Sequence, residues 1–150
     1  MALLEVDGLN KSYIRREGLL RLRRRRVPAV RDLALELDAG KTLALIGESG
    51  AGKSTAVRLI ARLIAADSGQ VRFDGKDLLR LSETELRSTR SDMQMVFQDP
   101  YGSFDPRTTI GDSVGEPRGV HGNRPASERR SEVAARRRRV GREPSYMARR

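Results

Sequence analysis

Residues 47 to 55 read Gly-Glu-Ser-Gly-Ala-Gly-Lys-Ser-Thr, which fills the pattern G-x-x-x-x-G-K-[ST] with Gly47, Gly52, Lys53 and Ser54. These residue types at this spacing do one kind of chemistry well. Gly50 and Gly52 let the backbone turn with positive φ, so that successive N–H groups, among them those of Ser49 and Ala51, can converge on phosphate oxygens at a helix N-terminus. Lys53 would reach the β- and γ-phosphates as a point charge. The Ser54 hydroxyl would be a Mg²⁺ ligand, the metal keeping water and phosphate oxygens as its other ligands, and Thr55 would add a contact nearer the α-phosphate.

Such a loop works only between a strand and a helix, and the flanks have that form. Leu43-Ala44-Leu45-Ile46 is an apolar run suited to a buried strand, and residues 56 to 64 carry the apolar spacing of a helix. Upstream, residues 3 to 9 read as a short strand ending in a turn. Residues 33 to 37 alternate as a half-buried antiparallel strand before the turn Asp38-Ala39-Gly40. The Arg-rich stretch of about 15–28, closed by Pro28, is expected to be an exposed and mobile hairpin connection or insertion. Asn10-Lys11-Ser12 has the form of a glycosylation sequon but is read as a turn.

Downstream, Asp67-Ser68-Gly69 marks a turn, residues 70 to 73 alternate as a strand, and Asp74-Gly75 is a hairpin signal. Ser82 and Glu85 have capping-box spacing and open a short helix toward Arg90. Met93-Gln94-Met95-Val96-Phe97 has the look of a buried strand ending at Gln98-Asp99-Pro100. The Gly and Pro content from Tyr101 to Gly122 predicts loops and at most short helices. Ser127 to Val140 is expected to be a helix with Ser127 as N-cap.

At 150 residues the chain has the length of one domain, and its 37% hydrophobic content suits a packed core. With no cysteine, disulfides and thiol chemistry are excluded. No apolar run approaches the roughly 18 residues of a membrane span. The net charge of +10 is confined to two segments: residues 15–31 carry +7 and residues 118–150 carry +8. Runs of this kind can grip nucleic acid or an anionic membrane surface. The block Arg23 to Arg26 has no interleaved aromatic residue, and only 4% of the chain is aromatic, which favours a solvated face.

A phosphate loop does not say what the nucleotide is for. Residues 95 to 107, Met-Val-Phe-Gln-Asp-Pro-Tyr-Gly-Ser-Phe-Asp-Pro-Arg, say more. Together with Glu116-Pro117 they resemble the Q-loop region, here about 97–117, of ABC transporter ATPases, in particular the subunits of dipeptide and oligopeptide (peptide/nickel) importers. Asp105 stands where the family usually has Asn. The resemblance covers nearly the whole chain, treated as one partial ABC ATP-binding domain, residues 1–150, with an Arg-rich helical part at about 125–150. It implies an α/β P-loop NTPase fold: a small antiparallel β layer plus a partial parallel sheet with helices.

The resemblance further implies ATP and Mg²⁺ as cofactors, with Gln98 touching the metal and the attacking water and Tyr13 stacking on adenine. It implies permease transmembrane subunits and a second ATP-binding subunit as partners, and a peripheral place on the cytoplasmic face of the cell membrane. Nucleic acid is not expected among the partners. A second parse makes Met95 to Asp99 a metal-binding strand with Asp99 as its acid. The family's signature Leu-Ser-Gly-Gly-Gln, its strand ending in Asp-Glu and its switch histidine are not in these residues, and His121 is read as a surface histidine. Binding rather than hydrolysis is therefore the expectation for an N-terminal fragment of such a subunit, with exposed sheet edges and marginal stability. Two alternatives stand beside it: an inactive truncated gene product, and a P-loop module that binds nucleic acid through its basic surface.

Overall fold

The computed structural model describes residues 2–17, 23–98, 105, 107–121 and 126–139; in the last two helices side chains are described for residues 110–117, 131–135, 138 and 139. The chain divides into two compact units, Met1–Met93 and Gln94–Arg150.

The first unit is built on a four-stranded antiparallel sheet in the order β2-β1-β3-β4, with β1 Ala2–Glu17, β2 Arg23–Asp38, β3 Ser68–Phe73 and β4 Lys76–Asp77. Alternation decides which face is buried: Val6, Leu9 and Val71 point inward and are 4%, 0% and 0% exposed, while Glu5, Asp7 and Arg72 face solvent. The expected strands at 3–9 and 33–37 are both present but much longer. Pairing continues through Tyr13↔Val27, Arg15↔Arg25 and Arg16↔Arg24 to Glu17↔Arg23, so most of the segment read as a connection is laddered strand. The joining residues 18–22 lie outside the described residues. Asn10 is in β1 rather than in a turn. Its Nδ2 donates to the Gly8 carbonyl at 2.8 Å and its Oδ1 accepts from the Asp32 N–H at 2.9 Å, stitching a bulge where Gly8 and Asp32 have φ of 54° and 43°.

The predicted turn at Asp74-Gly75 forms, both residues at positive φ (48° and 74°), closing the β3–β4 hairpin with Phe73 opposite Lys76. Helix α1, Lys53–Ile60, lays Ala56 and Leu59 on the sheet beside Val6, Leu9, Val30, Val71 and Leu78. Its end is a Schellman motif made without glycine: Leu63 N–H donates to Arg58 O at 2.8 Å, Arg62 N–H to Leu59 O at 2.9 Å, and Arg62 has φ 48°. The Arg62 guanidinium holds that conformation by donating to Leu81 O at 2.6 Å. Helix α2, Glu83–Thr89, opens with the full capping box predicted for Ser82 and Glu85, and a single 3₁₀ turn, Arg90–Asp92, follows it.

The two apolar runs expected to be buried strands are not laddered. Leu43-Ala44-Leu45-Ile46 has no strand pairing, and Leu43, Leu45 and Ile46 are 46%, 38% and 94% exposed. Met93 to Phe97 is likewise unpaired, with Val96 91% exposed. The reason is that a parallel strand takes its hydrogen bonds from neighbours distant in sequence, and among the described residues no strand flanks either run.

In the second unit the region expected to hold loops and at most short helices contains a 12-residue helix, α3, Ile110–His121, with Pro117 inside it. Its start is fixed by Thr109, whose hydroxyl accepts from the Asp112 N–H at 3.1 Å and donates to the Asp112 carboxylate at 2.6 Å. Helix α4 runs Ala126–Arg139, so Ser127 is inside the helix and not its N-cap. Val133 of α4 is 2% exposed and packs on α3 at Gly115, where an added Cβ would lie 3.5 Å from Val133 Cγ2.

Candidate nucleotide site

Residues 47 to 51 form an exposed loop that runs through the half-buried Gly52 directly into α1. Gly50 and Gly52 have φ of 85° and 87°, a region that costs other L-residues roughly 1–2 kcal/mol. The two glycines are needed for different reasons. A Cβ on Gly50 would meet nothing within 4 Å, so only its backbone conformation is at stake. A Cβ on Gly52 would lie 2.1 Å from the Ala29 carbonyl oxygen of β2, so the loop sits against that strand at a place where only glycine fits. Nothing in the residue pattern marks Ala29, whose part is played by its backbone.

Gly52 is the N-cap of α1; no side chain caps the helix and its first turn holds no acidic residue. The leading N–H groups of a helix have no partners within it, and the positive end of the peptide dipoles adds to their pull on an anion. Lys53 is half-buried and bends back over the loop, its Nζ donating to Gly47 O at 2.5 Å and Glu48 O at 2.6 Å. The Ala51 N–H donates to Glu48 O at 3.2 Å, which closes the turn. Ser54 is exposed and Thr55 half-buried, so the Ser54 hydroxyl is open to solvent at the loop's rim. The loop thus has the glycine conformations, the cation and the uncapped helix end that a polyphosphate requires.

Tyr13 is 47% exposed on β1, opposite Val27, with Lys11 Nζ 5.8 Å from its ring centroid. Val27 is two residues from Ala29 on β2, and strand spacings put the Tyr13 backbone roughly 8 Å from the place where Ala29 meets Gly52. An aromatic face and a phosphate loop therefore share one strand pair as their support. Asp67, whose sequence context predicts only a turn, fastens that support. Its carboxylate accepts from Ser12 N–H at 2.9 Å, Arg26 Nη2 at 3.0 Å and Lys11 Nζ at 3.3 Å. Its own N–H donates to Asn10 O at 2.9 Å. The Ser12 N–H, then Arg26 and Lys11, hold the Asp67 carboxyl below the ordinary value of 3.8.

Gln98 is exposed and belongs to the second unit, and Asp99 lies outside the described residues. Beyond it, Asp105 accepts from Arg107 N–H at 2.8 Å through its side chain and from Thr108 N–H at 3.0 Å through its carbonyl. This turn needs an acceptor oxygen on a short side chain, and Asp meets that need as Asn would. Among the described residues no group of three or more His, Asp or Glu is placed to hold a metal ion. No helix among the described residues is long and apolar enough to cross a membrane.

The fold and sequence agree with those of known proteins. The chain superposes on the ATP-binding cassette MJ0796, in a dimeric post-hydrolysis state bound to ADP and Pi, with a TM-score of 0.79 at 23% identity, covering 98% of this chain and 61% of that one. For cbiO1 from Clostridium perfringens, part of the ABC transporter complex cbiONQ, the TM-score is 0.69 at 23% identity over 98% of this chain and 53% of that one. In sequence it is 44% identical over 143 residues to the glutathione import ATP-binding protein GsiA of Escherichia coli O6:H1, and 43% identical to that of Escherichia coli K12. The match takes in 95% of this chain, which spans 23% of the length of those relatives. The ABC transporter family model matches residues 30–148, and the chain belongs to the ABC transporter family.

Proposed function

We propose that these residues are the nucleotide-binding part of the ATP-binding, energy-coupling subunit of an importer for peptides or similar small solutes. The observation that carries this is the loop: Gly50 and Gly52 at positive φ, an uncapped α1 and Lys53 held over the turn, in a chain of the ABC transporter family. Relatives named for glutathione import at 43–44% identity support the import role.

ATP would lie with its phosphates on the N–H groups of residues 49 to 55 and its base against Tyr13. Lys53 would exchange its carbonyl partners for phosphate oxygens and Ser54 would face the Mg²⁺, which would neutralise phosphate charge; Gln98 keeps its metal role by resemblance alone. The region of about 97–117 would meet the permease subunits at the cytoplasmic face of the membrane, and a second ATP-binding subunit would close over the nucleotide. Residues 1–150 hold no signature Leu-Ser-Gly-Gly-Gln, so binding without turnover is the proposal for them.

Titrating a fluorescent ATP analogue against residues 1–150 with Mg²⁺ tests this. Lys53→Ala should weaken binding by about tenfold or more, the loss of one charge-assisted contact of roughly 1.5–3 kcal/mol. Binding that ignores Lys53→Ala, or that Mg²⁺ leaves unchanged, would remove the phosphate loop from the proposal.

A further inference from the structure

The outer half of the β1–β2 ribbon is arranged against its own electrostatics. In antiparallel pairing the residues directly opposite share a face, and here Arg15 faces Arg25 and Arg16 faces Arg24, one pair on each side of the ribbon. Residues 13–16 and 23–28 are all exposed, so both faces are open. Compensation is partial: Arg26 is bonded to Asp67 at 3.0 Å, and Arg25 reaches Glu17 only at 3.9 Å with 72% and 41% of the two side chains exposed. Arg15, Arg16, Arg23 and Arg24 bond no carboxylate among the described residues. Like charges placed opposite each other on a ribbon lower its stability, and an anionic surface would reverse the sign of that effect.

The same ribbon exposes apolar area next to the arginines. Ile14 is 66% exposed, Tyr13 47% and Val27 38%. A phosphodiester backbone has no use for an exposed aliphatic side chain, whereas a bilayer interface takes charge and apolar surface together. We infer that the outer β1–β2 ribbon is a docking surface for anionic lipid headgroups, with Arg16 and Arg24 on the headgroups, Ile14 on the same side entering the interfacial layer, and Arg15 and Arg25 on the other side adding to the attraction. This deepens the peripheral-membrane part of the proposed function, and it is read without nucleotide, so a failure to bind ATP does not touch it.

Asp67 gives the docking surface a fixed base. By holding Arg26, Lys11 and the Ser12 N–H together it ties the inner end of the ribbon to the loop that follows α1.

Co-sedimentation of the chain with phosphatidylcholine vesicles, with and without phosphatidylglycerol, is the test. The chain should bind the mixed vesicles and not the neutral ones, with affinity falling as salt rises. Arg15→Gln, Arg16→Gln and Arg24→Gln together should reduce partitioning on the order of a hundredfold, with ATP affinity unchanged and a melting temperature no lower than the parent's. Ile14→Ser, on an open face, should weaken vesicle binding severalfold and leave binding to duplex DNA as it was. Equal binding to neutral vesicles overturns the inference. So does full binding by the triple variant, which would move the contact to the basic residues 118–150. DNA binding that is tighter than vesicle binding and lost in the triple variant would make the ribbon a nucleic-acid surface instead.

Discussion

Two sets of apolar residues in this chain carry strand-like sequences and meet different fates. In the β1–β3 sheet, Val6, Leu9 and Val71 are at most 4% exposed, and each strand has a neighbour near in sequence or joined by a hairpin. Leu43 to Ile46 is at least as apolar, yet Ile46 is 94% exposed and no ladder forms. Apolar composition supplies the wish to be buried; hydrogen-bonding neighbours supply the place. An antiparallel hairpin provides its own neighbour, while a parallel strand waits for segments far along the chain.

Five substitutions would break or sharpen that contrast. The largest effect should come where the phosphate loop leans on the sheet: Gly52→Ala forces a Cβ to within 2.1 Å of Ala29 O at φ 87°. A loss of about 3 kcal/mol or more in chemical denaturation is expected. Gly50→Ala, with the same sign of φ and open space, should lose only about 1–2 kcal/mol. Equal losses would mean that the loop does not rest on β2. Next, Leu59→Ala at a fully buried site should cost about 2–5 kcal/mol, showing that α1 and the antiparallel layer form one packed core.

A smaller effect belongs to Asp67. Its folded carboxyl titrates below the ordinary 3.8, so the unfolded chain takes up the proton first as pH falls. The stabilisation is present above the unfolded value and disappears as pH drops through the folded one. Asp67→Asn should therefore flatten the acid limb of the stability curve below about pH 4, while an unchanged limb would show that the carboxylate does not fasten the ribbon. Last, Ile46→Ser should change stability by less than about 0.5 kcal/mol, because the side chain is already in water. A loss of 2 kcal/mol or more, of the size seen for core truncations, would show that the run is buried after all.

What could be read from sequence follows the same division. The positive-φ turn at Gly50 and Gly52, the Ser82–Glu85 capping box and the Asp74-Gly75 turn are set by residues within a few positions of one another, and all three are where the sequence puts them. Thr109-Ile110-Gly111-Asp112 is equally local and carries the signature of a helix start, but the surrounding Gly and Pro content hid it. The Arg-rich arms were hidden for another reason. Charge and a proline suggest a loop, whereas pairing propagated outward from the sheet through Tyr13↔Val27 overrides local preference. Asp67 and Ala29 were out of reach because their roles exist only once β1, β2 and the segment after α1 are side by side. Gln98 and Tyr13 drew their assignments from resemblance, and their positions alone name no ligand.

The Lys53 ammonium is already engaged by the Gly47 and Glu48 carbonyls. Any incoming anion must therefore outbid two neutral acceptors before it gains that cation. A singly charged, weakly hydrogen-bonding ion such as chloride would have little to offer in the exchange, whereas the proposed tri- or tetra-anionic polyphosphate would contact the lysine and the helix N–H groups at once. On the proposed reading the folded-back lysine would set an admission threshold, leaving the loop to the few molecules charged highly enough to open it.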